Sequence, residues 1–319
     1  MPKKTSSLSL TDAVNLLTYS YDTPYSLRQQ IYSQILSSYS FDLLRPNLSS
    51  SSTGAPNIFD FSDLSFSTLT GSGFQYLPTL SPSFTQELLT FATDNLQDIP
   101  NSPKSQVPAK ALHGSTPLLR LFCSRQIIDP IALYLNIIPS IQYISLWRTE
   151  PSSDYSRTSE MYWHMDHHGH KFVKVFFYLT DVQFGDGHHE FILNSHYQTY
   201  FDSYLDKNFP QLLKTIALKR KLRGKFQLPD DLLLPILDKR LSLVGSRGTG
   251  FMEDTRGLHR GTPIISDRPR IILQALFVPF DSMKDPIDKV SISPDLVSKI
   301  RSYNSYTQSE VSKILSIIT

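Results

Sequence analysis

The sequence predicts a mainly β fold with flanking α-helices, a double-sheet jelly roll wrapped in helices and carrying one helical insertion. Three observations predict it. Short strand-like segments cluster in residues 141–193 and 241–280, with helical patterns on either side. The run 172–179 is almost continuously apolar, as expected of a strand in the interior of a sheet sandwich. Single strands do not alternate with single helices, so a parallel sheet of βαβ units does not fit.

Each element follows from its local pattern. Residues 8–38 read as two short helices, with Leu8, Leu10, Val14, Leu16 and Leu17 at roughly helical spacing and Ser26 capping a second helix through Ile31 and Ile35. Residues 47–56 are rich in serine and read as a surface loop. Ser83-Phe84-Thr85-Gln86 has the form of a capping box, opening a helix with Leu88, Leu89, Phe91 and Leu96 on its apolar side. Residues 98–108 form a Pro-rich connection, and two helices follow over 117–123 and 127–135.

From residue 141 the period changes. Residues 141–147 form a strand, and a polar loop through Pro151 and Ser156 leads to a strand carrying His164. Strands 172–179 and 190–193 follow. Residues 197–240 are helical in pattern, with Leu212, Leu213, Ile216 and Ala217 on one face. Strand character returns at 241–244. Gly245, Gly248 and Gly250 punctuate turns before Phe251-Met252-Glu253, and 271–280 is a last apolar strand. Thr307-Gln308-Ser309-Glu310 caps a closing helix that ends near Ile318. The expected organisation is one domain over 1–319. Its parts are a mainly helical stretch 1–139, a jelly-roll core 140–280 with the insertion 197–240, and a helical tail 281–319.

Composition narrows the class. With 319 residues, 40% hydrophobic and 19% charged, the chain can bury a sizeable core. A formal net charge of +2 gives no electrostatic ground for nucleic acid or an anionic membrane surface as partner. The single cysteine, Cys123, leaves no internal disulfide and no Cys-based zinc site, which suits a reduced, cytoplasmic setting. The basic start lacks a signal-peptide apolar core, and no apolar run approaches the roughly 20 residues that cross a bilayer.

The chemistry centres on Tyr162-Trp163-His164-Met165-Asp166-His167-His168-Gly169-His170. His164 and Asp166 stand two apart, so an extended backbone points both side chains to one face. An imidazole and a carboxylate on one face are two-thirds of the 2-His-1-carboxylate triad that binds non-haem Fe(II) and leaves positions open. His259, 93 residues after Asp166, is the candidate third ligand, because a jelly roll closing on itself can return it to the first pair. Arg270 then leads into the last apolar strand, where a permanent cation is costly without an anionic partner. A bidentate Arg–carboxylate clamp would suit a dicarboxylate cosubstrate such as 2-oxoglutarate. Pairing of Arg270 with Asp267 or Asp254 is the structural alternative.

Taken in order, these pieces resemble a known family. Trp163-His164-Met165-Asp166, the strand to Tyr178-Leu179-Thr180-Asp181, the segment Gly187-His188-His189-Glu190-Phe191-Ile192-Leu193-Asn194-Ser195-His196, and His259 followed by Arg270 are similar to the phytanoyl-CoA dioxygenase-like branch of the Fe(II)/2-oxoglutarate oxygenases. The resemblance implies a distorted double-stranded β-helix in which His164, Asp166 and His259 bind Fe(II) and Arg270 grips the distal carboxylate of 2-oxoglutarate. It also implies hydroxylation, since related halogenases replace the carboxylate ligand with a small residue. Two departures stand out. Gly261 occupies the position two after the distal histidine where a hydroxyl residue is common, leaving Thr262 as the candidate helper to Arg270. Leu193-Asn194 stands where relatives usually have Pro-Gly.

The expected reaction uses O₂ and a small-molecule substrate, releasing succinate and CO₂. Phe176, Trp163 and Tyr178 are aromatics that line the pocket or simply fill the core. His167, His168, His170, His188, His189 and His196 are read as solvated or as supports behind the ligands, with His196 the likelier structural residue. The basic run 219–225 is read as a solvated helix end. The insertion 197–240, by position and length, is the candidate lid or substrate-selecting element. Two rivals stay open: a cupin-like metalloenzyme that hydrolyses or isomerises without needing Arg270, and a jelly-roll carbohydrate-binding module without metal.

Overall fold

The computed structural model describes residues 30, 31, 33, 58–60, 69–151, 159–221, 227–279, 291–316 and 318. The two N-terminal helices expected over 8–38 fall largely outside these residues, and the serine-rich loop 47–56 falls wholly outside them.

Twelve strands follow in chain order: β1 (Phe59–Asp60), β2 (Phe74–Leu77), β3 (Thr79–Leu80), β4 (Gln97–Asp98), β5 (Lys104–Gln106) and β6 (Ser140–Thr149), then β7 (Val173–Tyr178), β8 (His189–Ile192), β9 (Arg240–Leu243), β10 (Gly250–Glu253), β11 (His259–Gly261) and β12 (Arg270–Val278). A seven-stranded antiparallel sheet has the order β2-β10-β7-β12-β6-β5-β4, and a three-stranded sheet has β11-β8-β9. His164 bridges His259, so the segment before β7 adds a fourth row to the small sheet. From β6 onward the chain passes from large sheet to small and back (β6, the His164 segment, β7, β8 and β9, β10, β11, β12). That path is a double-stranded β-helix, the jelly-roll class the sequence predicts.

Period-2 alternation sets the layers. On β7 and β12, Val173, Val175, Phe177, Leu273, Ala275 and Phe277 join the core between the large sheet and the helices α2 (Pro82–Asn95), α4 (Thr116–Phe122), α5 (Arg125–Leu135), α9 (Pro294–Asn304) and α10 (Gln308–Leu315). The alternate residues Phe176, Tyr178 and Ile272 turn inward and meet Phe191 and Phe251 between the sheets. β7 is buried on both faces, which is why it reads as an apolar run broken only by Lys174.

Two local expectations shift. Helix α2 is capped by Ser81, whose Oγ accepts from Phe84 N at 3.4 Å; Pro82 takes the first helical position, where its missing N–H costs nothing. Residues 98–108 are not a bare connection: β4 and β5 pair as a hairpin on the edge of the large sheet, since Lys104, Ser105 and Gln106 register against β6. The closing helix α10 does carry the predicted box, with Glu310 N donating to Thr307 Oγ1 and Thr307 N to Glu310 Oε2.

The insertion supplies α6 (Gln198–Asn208), α7 (Pro210–Lys221) and α8 (Asp230–Leu233). Phe201, Leu205, Leu212, Ile216 and Leu233 pack on Trp163, Ile192 and Leu258, covering the outer side of the small sheet. No helix among the described residues is long and apolar enough to cross a membrane.

Candidate metal centre

His164 and His259 are set by one reciprocal backbone pair: His164 N donates to His259 O at 2.9 Å, and His259 N to His164 O at 3.0 Å. Their rings lie 4.1 Å apart, centroid to centroid. His164 Nδ1 is 2.9 Å from Tyr162 O, and His259 Nδ1 is 3.0 Å from Gly257 O. A carbonyl only accepts, so each Nδ1 carries the hydrogen and each Nε2 keeps its lone pair for another partner. The segment carrying His164 is not a regular strand. It makes two isolated bridges, Trp163 to Leu228 and His164 to His259, and then Asp166 N donates to Thr255 O at 2.8 Å. Those bonds bring Asp166 to the same side, and donor atoms of His164, Asp166 and His259 all lie within 4.8 Å of one another. Two imidazoles and a carboxylate so placed form a donor set that fits a divalent transition metal.

Charge around the triad is tightly managed. Lys174 Nζ is 2.6 Å from Asp166 Oδ2, which is also 3.5 Å from His259 Nε2. Burial alone would raise the Asp166 pKa, but Lys174 and then His259 hold it well below the usual carboxylate range. Burial, with His259 beside it, pushes His164 down to about 3, so its ring is neutral. For His259, burial pulls the same way but Asp166 outweighs it, and the net shift is upward. Behind His259 its ring stacks on His189 at 5.6 Å, and His189 Nε2 meets Glu253 Oε1 at 2.7 Å. Glu253 is fully buried, and burial raises its carboxyl to about 8.

The triad opens into a cavity of about 620 Å³. Phe176, Ile272, Gln274, Ser145 and Trp147 line its sheet side, and Arg270 reaches it as the first residue of β12. Arg270 is 9% exposed; its Nη1 donates to Gly187 O, while its Nε is buried without a partner. Among the described residues no carboxylate lies within ion-pair distance of it. Asp254 is bound instead to Tyr134 and Arg256, and Asp267 is exposed. Gly187 has a left-handed φ of +75°, and a Cβ there would sit 2.7 Å from Ile264, so the anchor carbonyl depends on glycine. A guanidinium that lines a cavity and has no carboxylate paired to it among the described residues has the chemistry to take one.

At this point the comparisons bear on the chain. No protein-family model matches it, and no curated protein matches it significantly. Among solved structures, HygX from Streptomyces hygroscopicus, with nickel and 2-oxoglutarate bound, is similar over 72% of this chain and 91% of its own at 16% identity and a TM-score of 0.49. The non-haem α-ketoglutarate-dependent epimerase SnoN from nogalamycin biosynthesis is similar over 66% and 79%, at 15% identity and 0.44. The carbocyclase SnoK from the same biosynthesis covers 70% and 91%, at 15% identity and 0.43.

Of the residues singled out in the sequence, His164, Asp166, His259, Arg270 and Phe176 face one cavity. Thr262 does not join them: its hydroxyl bonds to His188, at 3.0 Å from both Nδ1 and the backbone oxygen. Trp163 also lies elsewhere, fully buried under the insertion with Nε1 donating to Asp230. Tyr178 spends its hydroxyl on Leu243 O and His189 N. His188 pairs with Glu190 at 3.4 Å. Among the described residues, none that line the cavity comes from the segment 197–240, the expected lid. The exposed Gln106, with Ile99 and Lys104 of the same β4–β5 hairpin, lines the cavity where it meets the surface, and Ala109 and the buried His113 of α3 (Ala109–His113) also line it. The basic run 219–225 lies outside the residues whose side chains are described. His189, read from the sequence as solvated or as a support behind the ligands, takes the second role, whereas sequence reasoning missed Lys174 and Glu253. Lys174 carried a signal, being the one charge inside the apolar run 172–179, where a cation needs a partner.

Proposed function

We propose that the protein is an Fe(II)- and 2-oxoglutarate-dependent oxygenase that hydroxylates a small-molecule substrate, releasing succinate and CO₂. One observation carries this reading: a buried arginine that makes no ion pair among the described residues lines the same cavity as a 2-His-1-carboxylate donor set. His164, Asp166 and His259 would hold the iron, and Arg270 the distal carboxylate of the keto acid. When bound, the iron and keto acid supply the O₂-dependent oxidation of a substrate C–H bond.

The chain's own residues do the rest. The Tyr162 and Gly257 carbonyls orient the two imidazoles. Phe176 and Ile272 give the cavity an apolar lining, and the hairpin edge, where the exposed Gln106 lines it, would admit substrate. The order of His164, Asp166, His259 and Arg270 supports assignment to the phytanoyl-CoA dioxygenase-like branch. A buried, unpaired Cys123 thiol suits a reduced cytoplasmic setting. Arg270 separates this reading from a cupin-like metalloenzyme that has no use for a dicarboxylate.

The test is an anaerobic titration of the metal-free protein with Fe(II) and then 2-oxoglutarate, following the visible charge-transfer band of the chelate. Wild type should develop the band, and Arg270→Leu should bind metal normally but need at least about tenfold more keto acid. Absence of metal binding, or an Arg270→Leu titration identical to wild type, overturns the reading.

A further inference from the structure

Lys174 is the feature that the oxygenase reading does not require. It is the second residue of β7, in a strand buried on both faces, yet carries a charge. Its Nζ is 2.6 Å from Asp166 Oδ2, and Tyr143 lines the cavity with it. Across the sheet it registers beside Glu253 on β10. The alternation of β7 aims it inward with Phe176, into the same cavity as the triad.

A buried ion pair is a poor source of stability, because desolvation of both ions offsets most of their attraction. An apolar residue would suit this strand position as well as its neighbours Val173 and Val175 do. The pair is therefore better explained by what it does to the carboxylate. Two neutral imidazoles, Asp166 and Lys174 together carry no net charge, so a divalent ion leaves the centre at +2. A dianionic chelator brings that to zero. Without Lys174 the loaded centre would be +1, and the same dianion would leave it negative within a low-dielectric cavity.

We propose that Lys174 is a positioning residue for the metal centre, holding Asp166 through Oδ2 and offsetting its charge so that the loaded centre favours dianionic chelators. The proposal rests on the metal-binding reading above. It makes two effects of opposite sign. Lys174 repels the incoming cation, so metal binding is weaker than the triad alone would give. It then strengthens capture of the dianion by the loaded centre.

The experiment uses Ni(II), with oxalate as probe, because oxalate is a dianionic chelator too short to depend on Arg270. Ni(II) affinity of the metal-free protein and oxalate affinity of the Ni(II)-loaded protein are measured by calorimetry. In Lys174→Met, Ni(II) should bind at least about tenfold tighter and oxalate at least about tenfold weaker. Lys174→Arg should stay near wild type in both. Lys174→Gln retains a donor to Asp166 and makes the same charge change should the methionine variant fail to fold. Neutral variants that lose affinity for both ligands, or change neither, overturn the role of Lys174. Failure of the wild type itself to bind Ni(II) would instead remove the metal-centre reading.

Discussion

His164 and His259 stand 95 positions apart in the chain, yet they exchange both backbone hydrogen bonds, at 2.9 and 3.0 Å. The bridge belongs to the main chain, whereas the metal-facing Nε2 atoms belong to the side chains. The two contributions can therefore be separated. His259→Ala should leave the bridge, and hence the far-UV circular dichroism, unchanged, while Ni(II) or Co(II) affinity falls by at least about 100-fold. A variant that retains metal affinity would exclude His259 as a ligand.

Metal loading should depend on pH through His259. Burial pulls its pKa down, but Asp166 outweighs burial and raises it above the ordinary imidazole value. A protonated His259 cannot ligate, so the ion must displace that proton below the shifted pKa. His164, held near 3, loses no proton in the same range. Apparent Ni(II) affinity should thus rise about tenfold per pH unit through the neutral range and then level off above the pKa of His259. Titrations in a non-chelating buffer series would show it; a flat profile would mean that His259 is already neutral.

Gly261 offers a gain-of-affinity variant. A Cβ built there would lie 3.5 Å from Arg270 Nη1, an ordinary contact, and Gly261 is absent from the positive-φ glycines. A serine therefore fits without strain and places a hydroxyl beside the guanidinium, a place that Thr262 leaves empty by bonding to His188. Gly261→Ser should keep the melting temperature within a few degrees and tighten 2-oxoglutarate binding by a few-fold. Weaker binding would mean that the hydroxyl obstructs the carboxylate.

What was legible in the sequence was what local patterns encode. The inward and outward faces of β7 and β12 follow from burial on both sides, which leaves an apolar run with Arg270 at its head. The shared side of His164 and Asp166 followed from their two-residue spacing, and the return of His259 from a jelly roll closing on itself. Contacts that no local pattern specifies were lost. Thr262 was linked to Arg270 through the hydroxyl residue that commonly follows the distal histidine in the resembling family, but just past β11 it bonds to His188. Residues 98–108 hid a hairpin because Lys104, Ser105 and Gln106 are polar edge residues paired on one side to β6. The insertion was expected, from its position and length, to be a lid or substrate-selecting element; its described apolar residues pack on Trp163, Ile192 and Leu258, a contact that position and length do not specify.

Selectivity can be tested at the residues that line the cavity against those of the insertion that do not. Ile216 is fully buried under the small sheet and does not line the cavity, so Ile216→Ala should cost about 2–5 kcal/mol of stability with little change in the substrate profile. Lys104 and Gln106 stand at the mouth, where Lys104 Nζ is 3.4 Å from Glu160. Lys104→Ala and Gln106→Ala should change which compounds stimulate succinate release while leaving 2-oxoglutarate affinity within about twofold. A substrate screen in which only the Ile216 variant alters preference would restore the insertion as the selecting element.

Glu253 should make the metal-free protein lose stability as pH rises. Its carboxyl is fully buried, and burial lifts its folded pKa to about 8, above the ordinary value of 4.5. Between those two values the folded state binds more protons than the unfolded state, so stability is greatest below the lower one and is lost on passing through the higher. At its steepest this loss approaches roughly 1.4 kcal/mol per pH unit. Glu253→Gln preserves shape and a hydrogen-bonding partner for His189 but cannot ionise. Denaturant melts in the presence of a chelator should therefore give curves that diverge from about pH 5 upward, with the glutamine variant the more stable at pH 8. Other groups, His259 among them, titrate in both proteins, so the difference between the curves isolates Glu253. Parallel curves would show that Glu253 ionises in the folded protein as readily as in water.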